Sequence, residues 1–241
     1  MANISQKEWN RYKDTMRLIS DTAAEEFAKI VVSAGGYEAI NEYDLSRIAY
    51  EVIAKYGEGS AALTASLYDS IALLEKKNVP PAEMFGISFE DITKAVRAVV
   101  RDYTDMNYLN SVVGKMVKQA GADTLVKNAI RDGAEVAWIP QGMTCAFCLT
   151  LASRGWQTVS KRTLKNGHAE HIHPNCDCQY CVRFDDTSVE GYDPESYLKI
   201  YYDAEGRTPK EKINSMRRQF YQLDKENGEG TNNSELFNVD E

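Results

Sequence analysis

Asp44-Leu-Ser-Arg-Ile-Ala-Tyr-Glu-Val-Ile-Ala-Lys-Tyr56 decides the fold class. Its apolar residues Leu45, Ile48, Ala49, Val52, Ile53 and Tyr56 fall at i, i+3, i+4, i+7, i+8 and i+11, positions that share one face of an α-helix. Asp44 is placed to cap that helix, and Gly57 or Gly59 to break or bend it. Downstream the same period recurs. Ala61 to Lys76 carries Leu63, Leu67, Ile71 and Leu74 on one stripe, and Asn78 to Pro81 stops it. Ser88 is set to cap a further helix built on Ile92, Val96, Val99 and Val100, with Asp91 completing a capping box. Leu109 to Ile130 is another amphipathic segment, with Gly121 as a break. Before residue 136 the pattern is helical almost throughout.

From Ala134 the character changes. Val136, Trp138 and Ile139 read as a short extended segment ended by Pro140, and Phe147 to Ala152 as a short helical turn. Cys178 to Phe184 has the aromatic and β-branched content of a strand. Helices then return. Asp193 caps and Pro194 takes the first helical position. Thr208-Pro209-Lys210-Glu211 supplies a cap, a first-position proline and a capping-box glutamate for a helix to Tyr221. The basic residues around it (Arg207, Lys210, Lys212, Arg217, Arg218) read as a solvated face. Asp224 to Glu241 is rich in Gly, Asn and acids, and is expected to be disordered. The fold class is therefore mainly α. It divides into a helical domain (1–135), a small zinc-stapled α+β module (136–184), a C-terminal helical extension (185–223) and an acidic tail (224–241).

The formal net charge of −8 argues against a dedicated nucleic-acid binder, which would carry a basic face. No apolar stretch approaches the roughly 20 residues that cross a bilayer. The polar, charged stretch Met1 to Arg17 is no secretory signal. A soluble protein made inside a cell, with no membrane partner and no sequence-specific nucleic acid, is the expectation.

All five cysteines (145, 148, 176, 178, 181) and all three histidines (168, 171, 173) fall between residues 145 and 181. An odd cysteine count without an export signal disfavours a disulfide framework, and short Cys/His spacings point to a metal. Cys145-Ala-Phe-Cys148 is a turn that puts two thiolates on one side of an ion. His173-Pro-Asn-Cys176-Asp-Cys178 supplies the second half of a tetrahedral Zn2+ site. The candidate ligands are Cys145, Cys148, His173 and Cys178, with Cys176 the alternative fourth ligand. An extended Cys176–Cys178 points both side chains to one face. Cys181 is either half of a second Cys-x-x-Cys or a buried strand residue. His168 and His171 read as loop or supporting residues.

A shell closed by thiolates is structural, because catalytic zinc keeps one position open for water. His168-Ala-Glu170 is similar to the zinc-deaminase H-x-E…P-C-x-x-C signature but has the wrong order: the Cys-x-x-Cys precedes it, and Asn175 follows Pro174. Glu170-His-Ile-His-Pro174 is similar to the acid-His-Ile-x-Pro run of HNH nucleases, but no histidine follows residue 173. A thiol protease would need a free Cys/His pair, and these residues are better used by a metal. No catalytic residue is assigned.

Trp138 to Gly155, with its Thr144-Cys-Ala-Phe-Cys148 and Leu151-Ala-Ser-Arg-Gly155, resembles the T-C-x-F-C-x-x-L-A-S-R-G block of tailed-phage MuF-like minor head proteins of the actinobacterial-phage type. His173-Pro-Asn-Cys176-Asp-Cys178 resembles the family's H-x-x-C-x-C block. Lys55 to Ala62, Leu67-Tyr-Asp69, Tyr192-Asp-Pro194 and Met216-Arg-Arg218 are similar to its helical parts. Cys181 lies outside the family pattern, which demotes it as a ligand. The resemblance implies a phage or prophage head-morphogenesis protein that is assembled in the host cytoplasm and held in the capsid interior. Its implied partners are the portal, the major capsid protein and the scaffold. Such proteins are often labelled capsid maturation proteases; that activity, or a zinc-dependent HNH-like nuclease, is the alternative.

Overall fold

The computed structural model describes residues 3–102, 105–141, 145–160 and 176–227, with side chains described through residue 222. Ser5 opens the first helix, α1 (Gln6–Ser33). Its hydroxyl accepts from the Glu8 N–H at 3.3 Å, and the Glu8 carboxylate accepts from the Ser5 N–H at 3.0 Å, so two orphan donors are satisfied reciprocally. Trp9, Tyr12, Met16, Ala23, Phe27 and Val31 recur at helical spacing and are buried. Gly35 and Gly36 end the helix at positive φ, where a side chain would be strained.

The second helix, α2 (Glu42–Leu74), corrects two expectations. Its cap is Asn41, whose side chain accepts from Asp44 N at 2.9 Å; Asp44 itself sits in the first turn, where its charge favours the helix dipole. The helix also runs unbroken through Gly57 and Gly59. Below Tyr56 its buried stripe is Ala61, Thr64, Ala65, Tyr68 and Ile71, whereas Leu74 is exposed. Small residues therefore face the neighbouring helix along this stretch, and Leu63 and Leu67 are half-buried. The third helix, α3 (Phe89–Asp102), begins at Ser88, whose hydroxyl accepts from Asp91 N at 3.1 Å as the capping box requires.

The fourth helix, α4 (Tyr108–Asp132), also passes through its glycine. A Cβ on Gly121 would lie 2.7 Å from Ser60 Oγ, 2.8 Å from Thr64 Oγ1 and 2.9 Å from Met16 Cε. Gly121 is thus a point where side chains of α1 and α2 press against α4, rather than a break. A core of buried residues lies among α1–α4 and includes Phe27, Leu45, Ile53, Val96, Leu109 and Val117.

The described residues also hold five short strands: β1 (Asn3–Ile4), ahead of α1, and β2 (Glu135–Ile139), β3 (Gln157–Thr158), β4 (Gln179–Arg183) and β5 (Ser188–Val189). β2 is central in an antiparallel sheet of order β3-β2-β4, and β1 pairs in parallel with β5. The β2–β4 register puts Trp138 against Tyr180, rings 4.6 Å apart, and Glu135 against Arg183, joined at 2.7 Å. Contacts group Met1–Ile139 with Trp156–Tyr192 in one compact unit, and Pro140–Gly155 with Asp193–Glu241 in another.

In the second unit are α5 (Ala146–Ala152), α6 (Pro194–Asp203) and α7 (Pro209–Asn227). Asp193 and Thr208 cap α6 and α7 as their sequences predict. Lys212 Nζ donates to the carbonyls of Tyr201, Tyr202 and Ala204, covering the C-terminal end of α6. Ala146, Leu149, Ala204 and Met216 form this unit's small core. The protein is mainly helical with a small sheet region. α7 runs on through Asp224 to Asn227; the remainder of the expected acidic tail lies outside the described residues.

Candidate metal centre

Cys145 is the N-cap of α5, and its sulfur accepts from the backbone N–H of Cys148 at 3.4 Å. A Cys-x-x-Cys turn is a common way to present two thiolates to one ion. Cys148 is fully buried. Ahead of β4, Cys176 is half-buried and Cys178 is buried. The sulfurs of Cys148, Cys176 and Cys178 all lie within 4.8 Å of one another. Sulfurs on a tetrahedral Zn2+ at ~2.3 Å stand about 3.8 Å apart, so the triplet is already close to the spacing a metal imposes. No disulfide joins the five cysteines. Three cysteines this close can bind a metal.

Of the sequence-derived candidates, Cys148 and Cys178 are thus brought together, and Cys176 joins them. Cys145 sits at the head of the helix that carries Cys148. His168, His171 and His173 lie outside the described residues. Cys181 is a fully buried β4 residue opposite Ala137, with its thiol against the Val182 carbonyl at 3.7 Å. Burial pushes that thiol well up from its ordinary pKa, as expected of a thiol inside a core.

The sequence reading missed the charges around the Cys176–Cys178 segment. Lys118 Nζ, from α4, donates to the Cys176 carbonyl at 2.8 Å and to Asp177 Oδ1 at 2.9 Å. Arg17, from α1, reaches Asp177 at 3.8 Å. Lys13, one turn before Arg17, is buried. Burial lowers its pKa, and attraction to Cys178 opposes that shift. The available signal was a lysine on the apolar face of each helix: Lys13 among Trp9, Tyr12 and Met16, and Lys118 next to Val117.

Among the described residues no helix is long and apolar enough to cross a membrane. Residues 3–204 match the model of the VG15 protein family. No curated protein and no solved structure matches the chain. The family match spans well over half of the sequence, and the chain belongs to the VG15 family, a family of phage proteins.

Proposed function

We propose, from its place in the VG15 family, that this chain is a minor head protein of a tailed phage or prophage. It binds the portal or capsid shell inside the virion and is held together in part by a structural Zn2+. The family match supports the phage assignment, and the resemblance of Trp138 to Gly155 to MuF-like head proteins supports the head. The observation that carries the zinc reading is the sulfur triplet of Cys148, Cys176 and Cys178. The fourth ligand is drawn from Cys145 or His173. Three or four thiolates fit a soft, redox-inert ion, and a closed shell leaves neither a bound water nor a free thiolate for chemistry.

The test is co-expression with the portal, major capsid and scaffold proteins of the same genome. Wild type is compared with a variant carrying His168→Ala and His171→Ala. The expected result is one zinc per chain, co-purification of both versions with portal or shells, and no trimming of capsid or scaffold. Trimming by wild type and not by the variant, with zinc retained in both, makes the protein an enzyme and overturns the reading.

A further inference from the structure

Lys13 and Lys118 are 5% and 4% exposed, on helix faces that otherwise pack apolar side chains. A buried ammonium is unfavourable unless an anion compensates it. Lys118 finds Asp177 at 2.9 Å. Asp177 is also approached by Arg17, which is half-exposed and has its own partner in Asp14 at 2.9 Å. For Lys13 no carboxylate lies within ion-pair distance among the described residues; the attractions it feels come from Cys178, Asp14 and Asp177, that of Cys178 the largest. Among the described residues, three cations, Lys13, Arg17 and Lys118, thus meet two carboxylates, Asp14 and Asp177. With every thiol protonated, these described residues around Cys176 and Cys178 carry one positive charge more than negative.

A divalent ion held by three thiolates and one neutral ligand carries one net negative charge, and one held by four thiolates carries two. Either supplies the missing anion. We propose that Lys13 and Lys118 are counter-ions of the metal–thiolate centre, positioning residues that set its affinity for a soft divalent cation. Lys118 has a second task, since its bond to the Cys176 carbonyl fixes the backbone that presents two of the sulfurs. The inference rests on the zinc reading above, and it explains why charge is tolerated on two otherwise apolar helix faces. It also fixes a sign. Without metal the lysines are a burden on the fold, and with metal they are an asset.

The experiment compares wild type with Lys13→Met and Lys118→Met, which keep the length of the stem and remove the charge. Zn2+ affinity is measured by competition with a chromophoric chelator under reducing conditions. Co2+ substitution follows the thiolate-to-metal absorption, and urea midpoints are measured on the metal-free proteins. Each variant is expected to bind Zn2+ about tenfold more weakly or worse, in the range found for residues that support metal ligands. The Co2+ absorption should keep its tetrahedral form, and metal-free Lys13→Met should be at least as stable as metal-free wild type. Affinity within twofold of wild type in both variants overturns the proposal. So does a loss of affinity matched by an equal loss of metal-free stability, which would mark the lysines as ordinary packing residues. If wild type binds neither Zn2+ nor Co2+, the zinc reading itself fails, and the counter-ion role fails with it.

Discussion

Replacing Gly121 and Gly59 by alanine separately should move stability in opposite directions. Alanine in place of glycine inside a helix favours the helix by ~1 kcal/mol at either position. At Gly59 a new Cβ meets no atom within 4 Å, so that gain survives. At Gly121 the Cβ would enter a three-helix contact at 2.7–2.9 Å from Ser60, Thr64 and Met16. Relieving such a clash costs ~1–3 kcal/mol of overpacking. The two hydroxyls are also engaged: Ser60 Oγ donates to Met16 Sδ at 3.1 Å, and Thr64 Oγ1 shares a hydrogen bond of 2.9 Å with Tyr12. Displacing either loses roughly 1 kcal/mol more. The net expectation is a loss of about 2 kcal/mol for Gly121→Ala against a gain of about 1 kcal/mol for Gly59→Ala. At 2–4 °C per kcal/mol for a domain of this size, Tm should fall by about 4–8 °C in the first and rise by about 2–4 °C in the second. Differential scanning calorimetry on zinc-loaded protein reads both. A Gly121→Ala protein as stable as wild type would refute the close-approach argument.

Glu75 accepts from the backbone N–H groups of Phe184 and Asp185 through Oε2 at 2.7 and 2.8 Å, and of Thr187 through Oε1 at 2.7 Å. Burial raises its pKa, but the hydrogen bonds outweigh burial and leave the carboxyl below its usual value. Its contribution is therefore present above the unfolded-state pKa of about 4.3 and is lost as pH falls through the lower folded-state value. Glu75→Gln should lower the urea midpoint at pH 7 by an amount equivalent to ~1–3 kcal/mol, and the gap to wild type should narrow toward pH 4; a gap independent of pH would contradict this. Cys148→Ser should abolish stoichiometric zinc, measured by elemental analysis. Cys181→Ser should retain it while losing ~1–3 kcal/mol for a hydroxyl buried in β4; zinc lost from the Cys181 variant would move the site to a second Cys-x-x-Cys.

Elements whose apolar period is unbroken were legible. The α2 face from Leu45 to Tyr56, the α3 cap at Ser88, β2 up to Pro140 and the α6 and α7 caps all follow from local chemistry. The misplaced helix breaks share one cause. Gly57, Gly59 and Gly121 signal helix ends locally, yet tertiary packing overrides that cost, and Gly121 is retained because nothing larger fits against α1 and α2. The same closeness explains why this part of the buried α2 stripe carries Ser60, Ala61, Thr64 and Ala65 rather than leucines. α1 went unsingled because Lys13 and Ser20 interrupt its apolar face, although both are buried. The two-residue pairing of β1 with β5 joins segments too short to show a period, and so far apart in sequence that only the fold reveals it.

The metal centre shows how far spacing alone can be pushed. Two Cys-x-x-Cys pairs, Cys145/Cys148 and Cys178/Cys181, are present, and their symmetry invites a four-cysteine site. Backbone period favours Cys176 and Cys178 as a pair, and the family resemblance is what demotes Cys181. Along an extended chain, residues two apart share a face and residues three apart do not, so Cys176 and Cys178 can serve one ion together while Cys181 points elsewhere. Such a reading expects Cys181 to be a core residue; it is fully buried and registered on Ala137, and burial raises the pKa of its thiol. It also requires Cys176 and Cys178 to converge on the first knuckle, and their sulfurs lie within 4.8 Å of that of Cys148. Period-two reasoning could not see what holds the segment there. Lys13, Arg17 and Lys118 themselves lie 58 residues or more before Cys176, and the bond from Lys118 to the Cys176 carbonyl is a tertiary contact without a local signal. The ligand types are thus written in one short window, while the charge that makes a thiolate cluster tolerable in the interior is written in α1 and α4.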